Sequence, residues 1–180
     1  MLERDIWFFQ DGLQAMKGSG DLKGALGNLI QLAASAAQSK ASSFYIKDET
    51  GQFLKPLATW GLSESYITNC GKVTIGEQCC GRAVAHRKPW IVTDMLNDPL
   101  FASARQAAVE SSIRAAFSVP VINAEDDVIG SLACHFSDVH TPTSTDIERN
   151  LIWASLIAYT ITEYKNAGQK APPQQQSAIV

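Results

Sequence analysis

Four cysteines are the side chains in this chain with the widest chemistry, since thiols act as nucleophiles, redox couples and metal ligands. They are Cys70, Cys79, Cys80 and Cys134. Adjacent cysteines and long gaps do not give the paired spacing of structural zinc sites, so we expect no metal site. Buried free thiols that behave as small apolar side chains are the simplest interpretation. Redox chemistry at Cys70 and Cys80 is the alternative.

The composition limits the classes of partner. The chain has 180 residues, is 46% hydrophobic and has a formal charge of −3, with 15 basic and 18 acidic residues scattered along it. This length buries one sizeable core. The absence of a basic patch excludes nucleic acid and anionic lipid as expected partners. The N-terminus does not resemble a signal peptide and no apolar run is long enough to span a membrane, so we expect a cytoplasmic protein.

Helical patterns open and close the chain. Apolar residues at spacings of three and four predict an N-terminal helix within residues 1–20. A second helix is predicted from Asp21, a good N-cap, to about Gln38. The last helix should run to about Lys165 and is apolar on nearly every face between residues 151 and 161, which indicates burial on more than one side. The Pro- and Gln-rich tail, 167–180, is predicted to be disordered.

Alternating apolar runs between these helices predict a β-sheet. One hairpin joins residues 42–47 to 53–60, and another joins 115–122 to 128–136. Short strands at 72–75 and 90–93 flank a short helix that ends before Pro89. Together these elements predict a single domain over residues 21–166.

The order of these elements, with three local motifs, resembles a GAF domain from about Asp21 to Tyr164. The motifs are GEQCCGRAVAHRKPWIVTD, DPLF and SVPVINAEDDVIGSL. The resemblance implies an α+β fold, with an antiparallel sheet of about six strands, the N- and C-terminal helices on one face and a ligand cavity on the other. Many GAF domains bind cyclic nucleotides, bilins, haem or small metabolites and others are only structural, so this fold does not fix a function.

Candidate ligand-binding residues follow from strand alternation combined with this resemblance. Successive side chains of a strand point to opposite faces. One face of the second hairpin is therefore small or polar, and the resemblance implies that it lines the cavity. His135 is its most informative polar group, with a purely structural hydrogen-bonding role as the alternative. The expected ligand-binding residues are Ala116, Ser118, Ser131, Ala133, His135, Trp60, Cys80, Asp94, Leu100 and Phe101. Alternatively, loop side chains such as Leu100 and Phe101 simply fill this space.

One enzyme branch of the family, the free methionine-R-sulfoxide reductases, is similar in one motif. Cys70 and Cys80-Gly81 repeat its ten-residue cysteine spacing. The catalytic cysteine of that branch lies in the loop before the second hairpin, where residues 94–112 contain no cysteine. Its pocket carboxylates would fall near Ala116, Ala133 and His135, none of which is acidic. Because a resolving cysteine cannot replace a missing nucleophile, we expect no enzyme activity and no catalytic residues.

The sequence therefore predicts a non-enzymatic small-molecule sensing or regulatory domain that acts on a signalling protein partner. The alternatives are a thiol redox enzyme or sensor and a ligand-free protein interaction module. The sequence identifies neither the ligand nor any cofactor. A homodimer is expected through the first and last helices, because their apolar residues exceed what one small sheet should cover. These residues are Ile6, Trp7, Phe8, Phe9, Trp153, Ile157 and Ile161.

Overall fold

A computed structural model describes residues 10–12, 14 and 20–170, apart from the side chains of 168–170. Its helices are α1 (Leu22–Ala36), α2 (Glu64–Cys70), α3 (Gln78–His86), a 3₁₀ helix (Pro99–Ala104), α4 (Arg105–Glu110) and α5 (Ser144–Lys170). Its strands are β1 (Ala41–Lys47), β2 (Phe53–Trp60), β3 (Val73–Thr74), β4 (Trp90–Val92), β5 (Ala115–Ile122) and β6 (Val128–Phe136). The predicted order of elements is thus confirmed.

The six strands form one sheet in the order β3-β2-β1-β6-β5-β4, and every neighbouring pair is antiparallel. In the central hairpin, Ala116 pairs with His135 and Ser118 pairs with Ala133. This register places the small and polar side chains of both strands on one face of the sheet. The predicted α+β architecture with six antiparallel strands is confirmed.

Helices α1 and α5 cover the opposite face. The Asp21 side chain caps α1 by accepting a hydrogen bond from the Gly24 backbone N–H at 2.7 Å, as the sequence predicted. The apolar stripe of α1 packs with α5 against the large side chains of the sheet. The fully buried members of this helix-side core include Leu26, Leu29, Ile30, Phe44, Val119, Leu132 and Ile157.

Part of the reasoning for a homodimer is wrong. Trp153, Ile157 and Ile161 are only 4%, 0% and 3% exposed, because they pack into the helix-side core of their own chain. The exposed apolar residues of α5 are instead Leu151, Ile152 and Tyr159. Ile6 to Phe9 lie outside the described residues, so the homodimer itself stays a prediction.

The terminal segments are described only in part. Of the predicted N-terminal helix, residues 10–12 and 14 are described, and they are helical. Helix α5 continues to Lys170, past its predicted end near Lys165, and the remaining tail lies outside the described residues. Among the helices that the structure describes, none has both the length and the apolar character needed to cross a bilayer.

Candidate functional site

A small cavity lies on the face of the sheet opposite α1 and α5. The sheet, α2, α3 and a covering segment, residues 94–112, supply its walls. It leaves about 10 Å³ for the centre of a water-sized molecule, which is room for about one water. The lining side chains are those of Tyr45, Tyr66, Cys70, Val73, Gln78, Cys79, Cys80, Met95, Phe101 and His135. None of them carries a carboxylate, an ammonium or a guanidinium group.

His135 is the polar group in this lining that lacks a full set of partners. It is 4% exposed, and its Nε2 lies 3.0 Å from the Ser43 hydroxyl. Its Nδ1 is buried and has no hydrogen-bond partner among the described residues. The Tyr66 ring meets the imidazole edge-on, with 5.8 Å between ring centroids. Burial lowers the pKa of His135 to about 4, because the charged imidazolium would lose its hydration, so the ring is neutral at pH 7.

The small residues of β5 and β6 support α3 and do not line the cavity. The Ser118 and Ser131 hydroxyls lie 2.5 Å apart. Ser118 also donates a hydrogen bond to the Sγ atom of Cys80 at 3.6 Å. Ala133 is fully buried beside Cys80, and Ala116 is 2% exposed in a neighbouring apolar cluster. Small side chains on these strands therefore allow α3 to pack close to the sheet.

Two backbone features allow α3 to pack against the sheet: a glycine at position 81 and a left-handed residue, Arg87, at the C-terminal end of the helix. A Cβ at Gly81 would clash with the backbone carbonyl oxygen of Thr74, so only glycine allows this approach. Arg87 ends the helix in the left-handed region, at φ 52°, two residues before Pro89. Cys79 and Cys80, at the start of α3, are thereby held against the sheet, where the Cys79 thiol donates to the Trp90 carbonyl at 3.3 Å.

All four thiols are buried and free. Burial raises the pKa of Cys70 to about 11, although a hydrogen bond from Tyr66 partly offsets this effect. Burial also raises the pKa values of Cys79, Cys80 and Cys134. At pH 7 these groups are protonated, whereas thiol chemistry and metal ligation use the thiolate. Within residues 10–12, 14 and 20–170, no group of three or more His, Cys, Asp or Glu side chains has the geometry to hold a metal ion.

Two ion pairs hold the covering segment in place. At its start, Asp94 accepts hydrogen bonds from Arg114 at 2.6 and 2.7 Å, and these hold the pKa of the Asp94 carboxyl well below its usual range. Asp94 also caps the following turn through the Leu96 N–H at 3.0 Å. Further along, Asp98 pairs with Arg82 of α3 at 2.6 Å, and both side chains are largely buried. The covering segment is therefore joined electrostatically to α3 and to Arg114, the residue immediately before β5.

The structure brings together three of the ten expected ligand-binding residues, since His135, Cys80 and Phe101 line the cavity. Leu100 is 52% exposed, and Trp60 packs against the helix-side core. Four others lie on β5 and β6 beneath α3, namely Ala116, Ser118, Ser131 and Ala133. Asp94 holds the start of the covering segment through Arg114. Whether any of the ten binds a ligand stays a prediction.

The expected ligand-binding residues omitted eight residues that surround this cavity: Tyr45, Tyr66, Cys70, Val73, Gln78, Cys79, Met95 and Ser43, the partner of His135. For two of them a signal was available. Strand alternation places Ser43 and Tyr45 on one face of β1, and β1 pairs with β6 so that Ser43 lies beside Ala133 and Tyr45 beside Ser131. The other positions depend on how irregular segments pack, which no local pattern encodes.

Comparison with known proteins agrees with this fold. A family model described as "GAF domain" matches residues 21–161. The GAF domain of a phosphoenolpyruvate-protein phosphotransferase from Acinetobacter is similar, with 16% identity, a TM-score of 0.76 and coverage of 94% of this chain and 99% of that one. The corresponding domain from Coxiella burnetii gives 18% identity, a TM-score of 0.77 and coverage of 92% and 96%. Free methionine-R-sulfoxide reductase from Neisseria meningitidis is also similar, with 18% identity, a TM-score of 0.72 and coverage of 93% of this chain and 95% of that one. No curated protein sequence matches this chain significantly.

Proposed function

The chain belongs to the GAF domain family, and from this premise we propose that it is a non-enzymatic small-molecule sensing domain of signal transduction. The buried Nδ1 of His135, which has no partner among the described residues, carries this proposal. A buried polar atom without a hydrogen bond costs roughly 1–3 kcal/mol of stability. A ligand that supplies the missing bond would recover this free energy, which supports the proposal that the cavity is a binding site.

We propose that the described structure is the closed form of this site. The Phe101 and Met95 side chains of the covering segment occupy the space beside the remaining 10 Å³. A ligand larger than water would therefore displace them and move the covering segment. Because Asp98 links this segment to Arg82 of α3, such a movement would reach the helix and the sheet edge beside it. This is the change that we propose a signalling partner detects.

The proposal that the domain is not an enzyme is supported by the state of its thiols. Residues 94–112 contain no cysteine, and the four cysteines elsewhere are buried with raised pKa values. Protonated thiols are poor nucleophiles. One observation favours a thiol redox protein as the second candidate, since Cys70 and Cys80 line the same cavity.

Assembly and location are further parts of the proposal. We propose a homodimer that uses the exposed apolar residues of α5, namely Leu151, Ile152 and Tyr159. The formal charge of −3 and the scattered basic residues support a cytoplasmic domain that binds neither nucleic acid nor membranes.

Native mass spectrometry of the gently purified full chain tests these candidates together. A co-purified small molecule supports the sensing domain, whereas a Cys70–Cys80 disulfide supports the redox candidate. The variant His135→Ala should lose the bound molecule. Cys134→Ala is the matched control, because Cys134 is the adjacent residue of β6 and faces α5, where it contacts Asn150. If no molecule is bound and no member of a metabolite library raises the thermal denaturation temperature, the sensing function is contradicted and a ligand-free protein interaction module is favoured.

A further inference from the structure

The hydrogen bond between Ser43 and His135 determines which ring nitrogen carries the proton. The Ser43 side chain is fully buried, and His135 Nε2, at 3.0 Å, is its hydrogen-bond partner among the described residues. A buried hydroxyl must place its proton on an acceptor. Because no other acceptor for this hydroxyl lies among the described residues, we assign Ser43 as the donor and the Nε2 lone pair as the acceptor. In a neutral imidazole the other nitrogen then carries the hydrogen, so Nδ1 is an N–H donor for which the described part of the chain offers no acceptor.

The charges around the cavity restrict what can supply that acceptor. The ten lining residues include no Lys, Arg, Asp or Glu. Behind this lining, Arg82 of α3 and Asp98 of the covering segment pair with one another at 2.6 Å. Arg105 of the same segment donates to the backbone carbonyl of Asp98 at 3.3 Å, and none of these three side chains lines the cavity. A charged ligand would lose its hydration here without meeting a counter-ion, which is strongly unfavourable.

We infer, as an extension of the proposed sensing function, that the cavity takes an uncharged molecule with an apolar body and one hydrogen-bond acceptor oxygen, held by His135 Nδ1–H. The body occupies the space that Phe101 fills in the closed form, so it is about the size of a phenyl ring. The acceptor replaces the missing partner of Nδ1. Nucleotides, phosphates and carboxylates are excluded from this class by their charge.

The first test reads the tautomer directly in the full chain. In ¹⁵N-labelled protein, NMR correlations between ring nitrogens and ring protons distinguish Nδ1–H from Nε2–H. We expect the Nδ1–H form for His135 in the native chain. The Nε2–H form would overturn the inference, because the cavity would then present an acceptor to its ligand.

The second test compares three probes of matched size by NMR titration. Acetophenone carries a carbonyl, ethylbenzene lacks an acceptor and benzoate is charged. They are titrated into the native chain and into Phe101→Ala, which frees the volume of one ring. We expect acetophenone to bind Phe101→Ala at least 10-fold more tightly than either other probe and to shift the His135 Nδ1 resonance. Adding His135→Leu should abolish the preference, whereas adding Cys134→Ala should retain it.

The outcomes separate this inference from the proposed function. Equal affinity for acetophenone and ethylbenzene, or a charged molecule co-purified in the cavity, overturns the ligand class and leaves the sensing function standing. A single water that remains on Nδ1 while no probe binds either protein overturns the ligand class as well. If Phe101→Ala fails to fold, the tautomer measurement and the probe titrations in the native chain still test the ligand class.

Discussion

The two faces of the sheet share the strands β1, β5 and β6 but are packed in opposite ways. Toward α1 and α5 the strands present large apolar side chains such as Phe44, Val119 and Leu132, each at most 1% exposed. The buried polar pair on that side, Asn150 and Cys134, is mutually bonded at 3.4 Å. Toward the cavity the same strands present small and polar side chains, and short helices and the covering segment pack over them.

This difference indicates that the two faces serve different purposes. The helix-side core is built from long helices and complete packing, which give stability. The cavity side retains a largely buried ion pair, whose desolvation is compensated only while both partners are present. It also retains a histidine nitrogen without a partner among the described residues, which is costly unless another molecule supplies one. Stability should therefore depend mainly on the first face and responsiveness on the second.

The largest effect is expected from truncating the helix-side core. Phe44→Ala should lower the free energy of unfolding by about 3–5 kcal/mol, because long packed helices cannot collapse into the cavity that it leaves. Phe101→Ala, although Phe101 is also only 1% exposed, should cost at least about 1 kcal/mol less, because the covering segment can readjust. Urea denaturation of both variants measures the difference. Equal losses would show that the two faces are equally rigid.

A second effect should come from the ion pair that joins the covering segment to α3. Asp98→Asn should cost about 3 kcal/mol, because it leaves the buried Arg82 charge without a counter-ion while it retains a side-chain oxygen for the Leu100 N–H. Asp126→Asn is the matched control, since the Arg87–Asp126 pair is exposed and should contribute less than about 1 kcal/mol. Asparagine also tolerates the positive φ of Asp126. Similar losses in the two variants would contradict the prediction.

Acidification should destabilise the cavity side through His135. The folded pKa of about 4 lies below the ordinary 6.5, so between these values the unfolded chain binds a proton that the folded chain does not. The free energy of unfolding should consequently fall by roughly 2–3 kcal/mol as pH drops from 6.5 to 4 and change little from this group below that. Asp94 contributes outside this window, because its pKa is lowered and its stabilisation is lost only under more acidic conditions.

His135→Gln isolates this contribution, since glutamine can still bond Ser43 but does not titrate. Denaturant unfolding measured from pH 7.5 to pH 4 should give a flatter profile for the variant than for the native chain. Parallel profiles would show that another group is responsible for the loss of stability in acid.

Sequence patterns predicted the fold because most of it is specified locally. The Asp21 cap, the period-two alternation of β5 and β6 and the stop at Pro89 each depend on neighbouring residues, and the structure follows them. The domain boundaries at the two ends are not tested in this way, since part of each end lies outside the described residues.

The cavity was harder to predict because its volume is a tertiary property. Ser118, Ser131 and Ala133 are small, which sequence reasoning took as a sign of open space, but α3 fills that space as far as the contact of Gly81 with the Thr74 carbonyl allows. Depth of packing is not encoded in alternation. Of the two loop side chains that the alternative named, Phe101 lines the cavity, whereas Leu100 is exposed.

The smallest effect on stability, and the sharpest on assembly, is expected on α5. We expect a homodimer in sedimentation velocity at micromolar concentration, and Tyr159→Glu should convert it to a monomer because it places a charge in the apolar face of Leu151, Ile152 and Tyr159. Since Tyr159 is 54% exposed, the stability of the single chain should change by no more than about 0.5 kcal/mol. Val139→Glu, at a residue 58% exposed outside α5, should leave the dimer intact. A native monomer, or a dimer that survives Tyr159→Glu, would contradict a homodimer interface on α5. The exposed apolar residues of this helix would then be available to bind a different protein.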